Sequence, residues 1–323
     1  MVAPIPKLDL ILAPTPLHHL PRMSETLGID LWIKRDDLTG FAFGGNKGRK
    51  LEYLLAAAKA EGADTIVTCG SAQSNFIRQL AAGCSMLGIK LVAVVMQLPY
   101  EDEPPIGAMM PTNGNVLLDD LLGAELVLLP NGTWDELFES TRLRAELLRA
   151  AGKQVFEIPI GGSSPLGAYA FEIAGQELLR QAIDFDYILS ASSSGSTQTG
   201  LTRALHKSTT TFVGVGCDPE PEMIHEFAAL SAKVDELCGT NLNLKAEDFR
   251  FDTRFVGPGY GVPSESGMAA LRLIAQTEGI FLDPIYSAKA FDGLIHMARN
   301  NELSGKVCFW HTGGTPALFA MPA

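Results

Sequence analysis

Tyr187-Ile188-Leu189, then Ser192-Ser193-Ser194-Gly195-Ser196-Thr197-Gln198-Thr199-Gly200, then Leu201, Ala204 and Leu205, is the stretch that decides the architecture. The apolar triplet reads as a buried strand, and the last three residues share one face of a short helix. A strand, a loop of small residues and a helix together aim free backbone N–H groups and the helix's positive end at a phosphate. No Gly-Lys-Ser/Thr follows, which excludes an ATP-type loop, and no G-x-G-x-x-G fills the turn, which disfavours a dinucleotide. A monophosphate cradle made of Gly195, Ser196, Thr197, Gln198 and Thr199 fits best. The plainer alternative is a flexible Ser/Gly linker, and the apolar strand before the loop argues against it.

The same βα alternation extends in both directions. Thr65–Cys69 and Lys90–Met96 read as buried strands, and Ile77, Leu80, Ala81, Cys84 and Leu87 form a helical stripe between them. Leu98 to Pro111 reads as a loop, Val116 to Leu122 as helix, and Glu125–Leu129 and Gln154–Ile158 as short strands. Between those two strands a helix is predicted over about Thr133 to Ala150, with acids early and arginines late as the helix dipole prefers. Phe212–Gly216 and Lys306–Trp310 add strands; Met268, Leu271 and Ala275, and Ala288, Phe291, Ile295 and Ala298, mark two more helices. Nearly continuous apolar strands joined by helices imply parallel sheets covered on both faces. Ligands in such folds sit at the carboxyl ends of the strands, where the polar motifs after Cys69, Leu189 and Trp310 all fall.

A second motif is Phe43-Gly44-Gly45-Asn46-Lys47-Gly48-Arg49-Lys50. Leu51, Leu54, Leu55 and Ala58 follow at helical spacing, so a helix is predicted from near Lys50 with Lys47 in its entry turn. A lysine held among glycines can form a Schiff base with an aldehyde cofactor, provided that its amine is neutral. A lysine at a helix start is more commonly just solvated. Similarly, Ser74 or Asn75 reads as a helix N-cap or as a binder of a carboxylate or ring oxygen. His311 in His311-Thr312-Gly313-Gly314 reads first as structural, and Tyr260 and Tyr286 read first as core aromatics.

The 323 residues suit one large or two medium domains, with 46% hydrophobic and 19% charged residues as in ordinary globular proteins. A net charge of −12 without a basic block argues against nucleic acid and anionic membrane as partners. Five scattered cysteines (Cys69, Cys84, Cys217, Cys238, Cys308) form no C-x-x-C pair and read as reduced residues of a cytoplasmic protein. The start shows no signal-peptide pattern, and no apolar run is long enough for a membrane span.

Taken together and in order, Lys34-Arg35-Asp36-Asp37-Leu38-Thr39-Gly40, Gly44-Gly45-Asn46-Lys47, Gln73-Ser74-Asn75, Ile160-Gly161-Gly162-Ser163, Gly195-Ser196-Thr197, Gly259-Tyr260-Gly261, Asp283-Pro284-Ile285-Tyr286 and His311-Thr312-Gly313-Gly314 have a close match. From about Leu10 to Leu318 the chain resembles the pyridoxal-phosphate enzymes that group D-cysteine desulfhydrase with 1-aminocyclopropane-1-carboxylate (ACC) deaminase. The resemblance implies an α/β, tryptophan-synthase-β-like (fold type II) architecture of two open parallel-sheet domains with the cofactor between them. Residues 1–50 with 160–323 would form the large cofactor-binding domain, and 51–159 the small one.

By position, the resemblance implies that Lys47 carries pyridoxal 5'-phosphate and acts catalytically with Ser74, Tyr260 and Tyr286. Asn75 would bond the phenolic oxygen of the cofactor, Gly195 to Thr199 its phosphate, and Thr312 its pyridine nitrogen. Gln73, Ser74 and Asn75 would hold the substrate, with Tyr260 and Tyr286 lining its other side. ACC deaminases typically carry an acid after the Asp-Pro-x-Tyr tyrosine and a leucine after the last histidine; Ser287 and Thr312 follow the desulfhydrase pattern instead. Gly161-Gly162-Ser163-Ser164 departs from the usual Gly-Gly-Ser-Asn of desulfhydrases.

The implied reaction is β-elimination from D-cysteine, giving pyruvate, sulfide and ammonia. Its rivals are an L-cysteate sulfo-lyase that releases sulfite, an ACC deaminase, and a non-catalytic pyridoxal-phosphate-binding protein. A cytoplasmic homodimer acting on a small amino acid, with no metal, completes the expectation.

Overall fold

The computed structural model describes residues 5–97 and 112–321. The segment read as a loop over Leu98 to Pro111 lies outside the described residues. The first half runs β1 (Leu17–His19), α1 (Pro21–Leu27), β2 (Asp30–Arg35), α2 (Lys47–Ala60), β3 (Thr65–Ser71), α3 (Asn75–Leu87), β4 (Lys90–Met96), α4 (Gly114–Leu121), β5 (Glu125–Leu128), α5 (Trp134–Ala150) and β6 (Val155–Glu157). The second half runs α6 (Pro165–Arg180), β7 (Tyr187–Ser192), α7 (Ser196–Leu205), β8 (Thr211–Gly216), α8 (Met223–Cys238), β9 (Arg250–Asp252), α9 (Glu265–Glu278), α10 (Ser287–Arg299) and β10 (Lys306–His311).

Two sheets form, one of six strands in the order β1-β2-β10-β7-β8-β9 and one of four in the order β5-β4-β3-β6. Every pairing is parallel except β1 with β2. The last strand, β10, enters the middle of the larger sheet, with Phe309 opposite Ile33 of β2 and Leu189 of β7. Its neighbours on both sides explain the apolar run Val307-Cys308-Phe309-Trp310, all of it buried. One core gathers Leu31, Ile33, Leu189, Val215, Phe291 and Phe309; another gathers Leu51, Leu55, Ile66, Ile77, Leu80 and Leu91 around the smaller sheet.

The helix expected from near Lys50 begins one turn earlier. Lys47 is its first residue rather than part of a preceding turn, because the positive φ of Gly44 and Gly45 delivers the chain directly into α2. Strand β3 also continues beyond Cys69 to Ser71.

A buried charge cluster fixes the start of α2. Arg49 donates from Nε and Nη2 to Asp36, both at 2.8 Å, and from Nη1 and Nη2 to Glu177 of α6 at 2.9 and 3.0 Å. Lys34 of β2 donates to Glu177 and to the Thr15 carbonyl, while Trp310 Nε1 of β10 donates to Asp36 at 2.9 Å. Burial alone would raise the Glu177 carboxyl, but Arg49 and Lys34 outweigh it and hold it at about 2, against an ordinary 4.5.

A carboxylate depressed on folding contributes stability above its unfolded pKa and loses it as pH falls through the folded value. Stability is therefore expected to decline between about pH 4.5 and 2 as Glu177 takes up its proton. Glu177→Gln should flatten that part of the profile in a pH series of denaturant unfolding curves. Arg49→Ala, which strands two buried carboxylates, should cost about 3–5 kcal/mol of stability at neutral pH.

Candidate active site

The carboxyl ends of β3, β7, β8 and β10 face a cavity of about 530 Å³. Gly45, Asn46 and Lys47 line it from the start of α2, and Ser71, Ser74 and Asn75 from the end of β3 and the start of α3. Ser192 to Gly195, Thr197 and Gln198 contribute from the β7–α7 junction, with Tyr260, Tyr286 and Thr312 closing the remaining wall.

Asn46 holds Lys47 in place from both sides. Its backbone N–H donates to the Thr312 carbonyl at 2.9 Å, and its side-chain amide to Thr197 Oγ1 at 3.2 Å. At Gly45, with φ +122°, a Cβ would stand 2.6 Å from Gln79 Nε2 and 3.3 Å from the Thr312 carbonyl, so only glycine fits. Burial holds the Lys47 amine below the ordinary lysine value, only partly offset by Lys50, whose amine lies within hydrogen-bonding reach. Lys50 is itself held well below by burial and by Lys47, and it donates to the Gly161 carbonyl at 3.1 Å. Of Lys34, Lys47 and Lys50, Lys47 alone lines the cavity.

The start of α3 presents a donor face. Ser74 is the N-cap, its Oγ accepting from the Ile77 N–H at 3.3 Å, so its own proton is left for a ligand. Asn75 Oδ1 accepts from Arg78 Nη1 and from Asn115 Nδ2, each at 3.0 Å. Arginine can only donate, so the Asn75 oxygen is fixed there and its N–H₂ is left for an acceptor.

Gln73 departs from its expected role as a substrate ligand. Its carbonyl and amide bond the Asn115 N–H and the Thr112 and Asn113 carbonyls, and it does not line the cavity. It anchors Asn115, which in turn orients Asn75.

At the phosphate loop, α7 begins behind Gly195 with no side-chain cap, leaving its N-terminal N–H groups to a ligand. Gly195 has φ +98°, and a Cβ there would meet the Phe227 ring at 2.9 Å. Ser192 lines the cavity, and its buried hydroxyl has no hydrogen-bond partner among the described residues. Thr197 and Gln198 also line it, but Gln198 Nε2 is committed to the Arg250 carbonyl at 2.9 Å. Ser196 and Thr199 lie behind the cavity wall, with the Thr199 hydroxyl turned to the Phe227 carbonyl. The Ser196 N–H lies in the uncapped first turn of α7, whereas the Thr199 N–H is committed to the Gly195 carbonyl at 2.9 Å and is not available to an anion.

On the far wall the Tyr260 and Tyr286 hydroxyls are 2.7 Å apart, and Tyr260 Oη is 3.5 Å from Ser71 Oγ. Burial pushes the Tyr260 phenol up to about 12 and the Tyr286 phenol well above its ordinary value. Both are proton donors at neutral pH. Asp283 fixes Tyr286 by accepting the backbone N–H groups of Ile285, Tyr286 and Ser287. The Ser287 hydroxyl donates to Asp283 Oδ1 at 2.6 Å, so this residue is sealed in that hub and does not line the cavity.

His311 is structural: Nδ1 accepts from the Gly313 N–H at 3.1 Å, which leaves Nε2 to donate to the Phe281 carbonyl. Thr312 lines the cavity, and its hydroxyl makes no hydrogen bond among the described residues. Sequence reasoning assigned no role to Ser71, Arg78, Asn115, Trp134 or Asp218, and none of them carries a local motif. Ser163, quoted only within the Gly161-Gly162-Ser163 signature, lines the cavity and bonds the Ser194 carbonyl.

A reachable amine, an amide donor, an uncapped helix start and a free hydroxyl are the groups that an aldehyde, a phenolate, a phosphate and a pyridine nitrogen require. They fit pyridoxal phosphate. Residues 8–313 match the family described as pyridoxal-phosphate dependent enzymes, and the chain belongs to that family.

Within it, the chain is 40% identical to the D-cysteine desulfhydrase of Klebsiella pneumoniae subsp. pneumoniae, covering 98% of this chain and 96% of that protein. A crystal structure described as an ACC deaminase homologue superposes with a TM-score of 0.88 at 33% identity, covering 98% of this chain and 94% of the other. A hydrogen sulfide-producing enzyme from Fusobacterium nucleatum shares the fold, with a TM-score of 0.64 at 17% identity and 96% of both chains covered.

Borohydride treatment of the loaded protein, followed by peptide mapping, is expected to fix the cofactor on Lys47 and on neither Lys34 nor Lys50. Gly195→Val should weaken cofactor retention by at least roughly tenfold in an equilibrium release measurement, since the side chain is barred by both φ and Phe227. Retention equal to wild type would count against the phosphate site.

Proposed function

We propose that this protein is a D-cysteine desulfhydrase, which converts D-cysteine to pyruvate, sulfide and ammonia with pyridoxal phosphate. The observation that carries the reading is one cavity in which Lys47 meets the donor face of Ser74 and Asn75 and a pair of protonated tyrosines. Full-length likeness to a D-cysteine desulfhydrase supports it.

Lys47 would hold the cofactor, with Asn75 at its phenolic oxygen, Thr312 at its ring nitrogen and the N–H groups of residues 195–198 at its phosphate; Thr199 closes the first turn behind them through its bond to the Gly195 carbonyl. When bound, pyridoxal phosphate draws electron density from the substrate's Cα and so acidifies the Cα–H bond.

Each protein group then has a defined task. The Ser74 hydroxyl and the free N–H groups at the start of α3 bind the substrate carboxylate, with Gln73 acting behind them through Asn115. The Lys47 amine, its proton affinity lowered by burial against the opposing hydrogen bond from Lys50, accepts the proton from Cα. The Tyr260–Tyr286 pair donates a hydrogen bond to the substituent leaving from Cβ, for which thiolate needs little assistance. Trp134 of α5 packs edge-on against Tyr260, ring centroids 5.5 Å apart, and shields that hydroxyl pair from water.

ACC deaminase is the second reading, favoured by the likeness to the ACC deaminase homologue. Against it stands Ser287: a carboxylate there would be packed onto Asp283. We also propose residues 1–50 with 160–323 as the cofactor-binding domain and 51–159 as the smaller one, a division that the two sheets support. A cytoplasmic location is proposed from the five unpaired cysteines, and a homodimer from the family resemblance.

Sulfide release from D-cysteine is expected to exceed both ammonia release from ACC and sulfite release from L-cysteate, each read as kcat/KM. Lys47→Ala should lower turnover of D-cysteine by at least roughly 10²–10⁴-fold. Sulfite from L-cysteate with no sulfide from D-cysteine would replace the leaving group and overturn the desulfhydrase reading.

A further inference from the structure

Three acidic side chains that line the cavity, Asp218, Glu220 and Glu226, have no part in the reaction as described, and Asp218 is the one whose charge reaches the tyrosine pair. Asp218 lies two residues beyond β8 and lines the cavity. Ser193 Oγ donates to its Oδ2 at 2.7 Å, while its Oδ1 accepts no hydrogen bond among the described residues. Burial raises the carboxyl to about 6, with Ser193 opposing and Glu220 adding to the rise, so it is ionised at neutral pH. Its charge is felt at both the Tyr260 and Tyr286 hydroxyls. Lys289 partly offsets that charge, yet it is committed to the Gly259 carbonyl at 2.8 Å and does not line the cavity. The cavity therefore presents a fixed anion on the side of the tyrosine pair.

The placement of the substrate turns this charge into a filter. An amino acid whose carboxylate sits on the Ser74–Asn75 face has its Cβ substituent in the same cavity as Tyr260, Tyr286 and Asp218. We propose that Asp218 determines specificity by charge, rejecting amino acids with an anionic group on Cβ (sulfonate, sulfinate or carboxylate) while accepting a neutral thiol or an ammonium. This rests on reading the cavity as the site of a β-eliminase. Two like charges a few ångströms apart in a poorly solvated cavity repel strongly, and a repulsive element of this kind separates ligands that otherwise share every contact.

The test is a spectral titration of the pyridoxal-phosphate-loaded protein at neutral pH with D-serine, D-2,3-diaminopropionate, D-aspartate and D-cysteate. For wild type, the two anionic side chains should bind at least roughly tenfold more weakly than D-serine. Asp218→Asn should tighten both anions by about that factor, weaken diaminopropionate, and change D-serine by less than about threefold. Asp218→Ser, assayed beside it with thermal melting of both variants, should reproduce the pattern and so separates charge from shape.

Anions that bind wild type as tightly as D-serine would overturn the proposal, as would an anion-to-serine ratio unchanged in both variants. Sulfide release from D-cysteine is measured separately. Its absence would defeat the desulfhydrase reading while leaving the charge series to decide the role of Asp218.

Discussion

Arg49 makes four hydrogen bonds to two buried carboxylates, two to Asp36 and two to Glu177, and the position of the site depends on them. Asp36 follows β2 and also receives Trp310 from β10, whereas Glu177 belongs to α6 and also receives Lys34 from β2. The cluster thus ties two strands of the larger sheet to the helix that opens with Lys47. An isolated ion pair at this depth would gain little over apolar packing, because desolvating the charges consumes most of their attraction. Here the geometry is bidentate at both carboxylates, and the return is positional. Arg49 lies two residues from Lys47, so fixing the guanidinium fixes the first turn of α2 and the direction of the reactive amine.

The same cluster explains which parts of the fold were legible in the sequence. Strands β3, β4, β7, β8 and β10 are buried on both faces and read directly as apolar runs. Strand β2 was passed over because Asp30-Leu31-Trp32-Ile33-Lys34-Arg35 carries charges that suggest a surface, yet Lys34 is fully buried against Glu177. Helix α6 was missed for a related reason: Glu177 interrupts its apolar face at the point where it meets Arg49. Pattern reading assigns charges to solvent, and it fails where charges of opposite sign are buried together.

Legibility of the site divides along another line. Lys47, Ser74, Asn75, Tyr260, Tyr286 and Thr312 stand in glycine- or helix-start motifs, and the structure brings all six to one cavity. Gln73 stands in the same motif as Ser74 and Asn75, but a motif shows which residues are neighbours in sequence and not which way each side chain points; its amide turns to the backbone of 112–115. Asn115, Arg78 and Asp218 act through contacts made across 25 or more residues of chain, for which local pattern contains no signal.

The division of labour between the two sheets follows from this. The smaller sheet supplies donors at the start of α3, where Ser74 and Asn75 are oriented by capping and by the Arg78–Asn115 pair, a face suited to negative charge. The larger sheet supplies the amine, the uncapped α7 and the tyrosine pair, the last held by the Asp283 hub and by the Gly259 turn that Lys289 pins. On the proposed reading, an amino acid bound in the cavity has its carboxylate at the Ser74–Asn75 face and its Cβ substituent near the tyrosine pair. Hydrogen bonds of both backbone and side chains hold the two walls, so the choice of substrate falls to the side chains that face the cavity. Among them are the hydroxyls of Ser74, Tyr260, Tyr286 and Thr312 and the carboxylate of Asp218. Four of these five are neutral donors, and the fifth, Asp218, sets a negative charge beside the tyrosine pair.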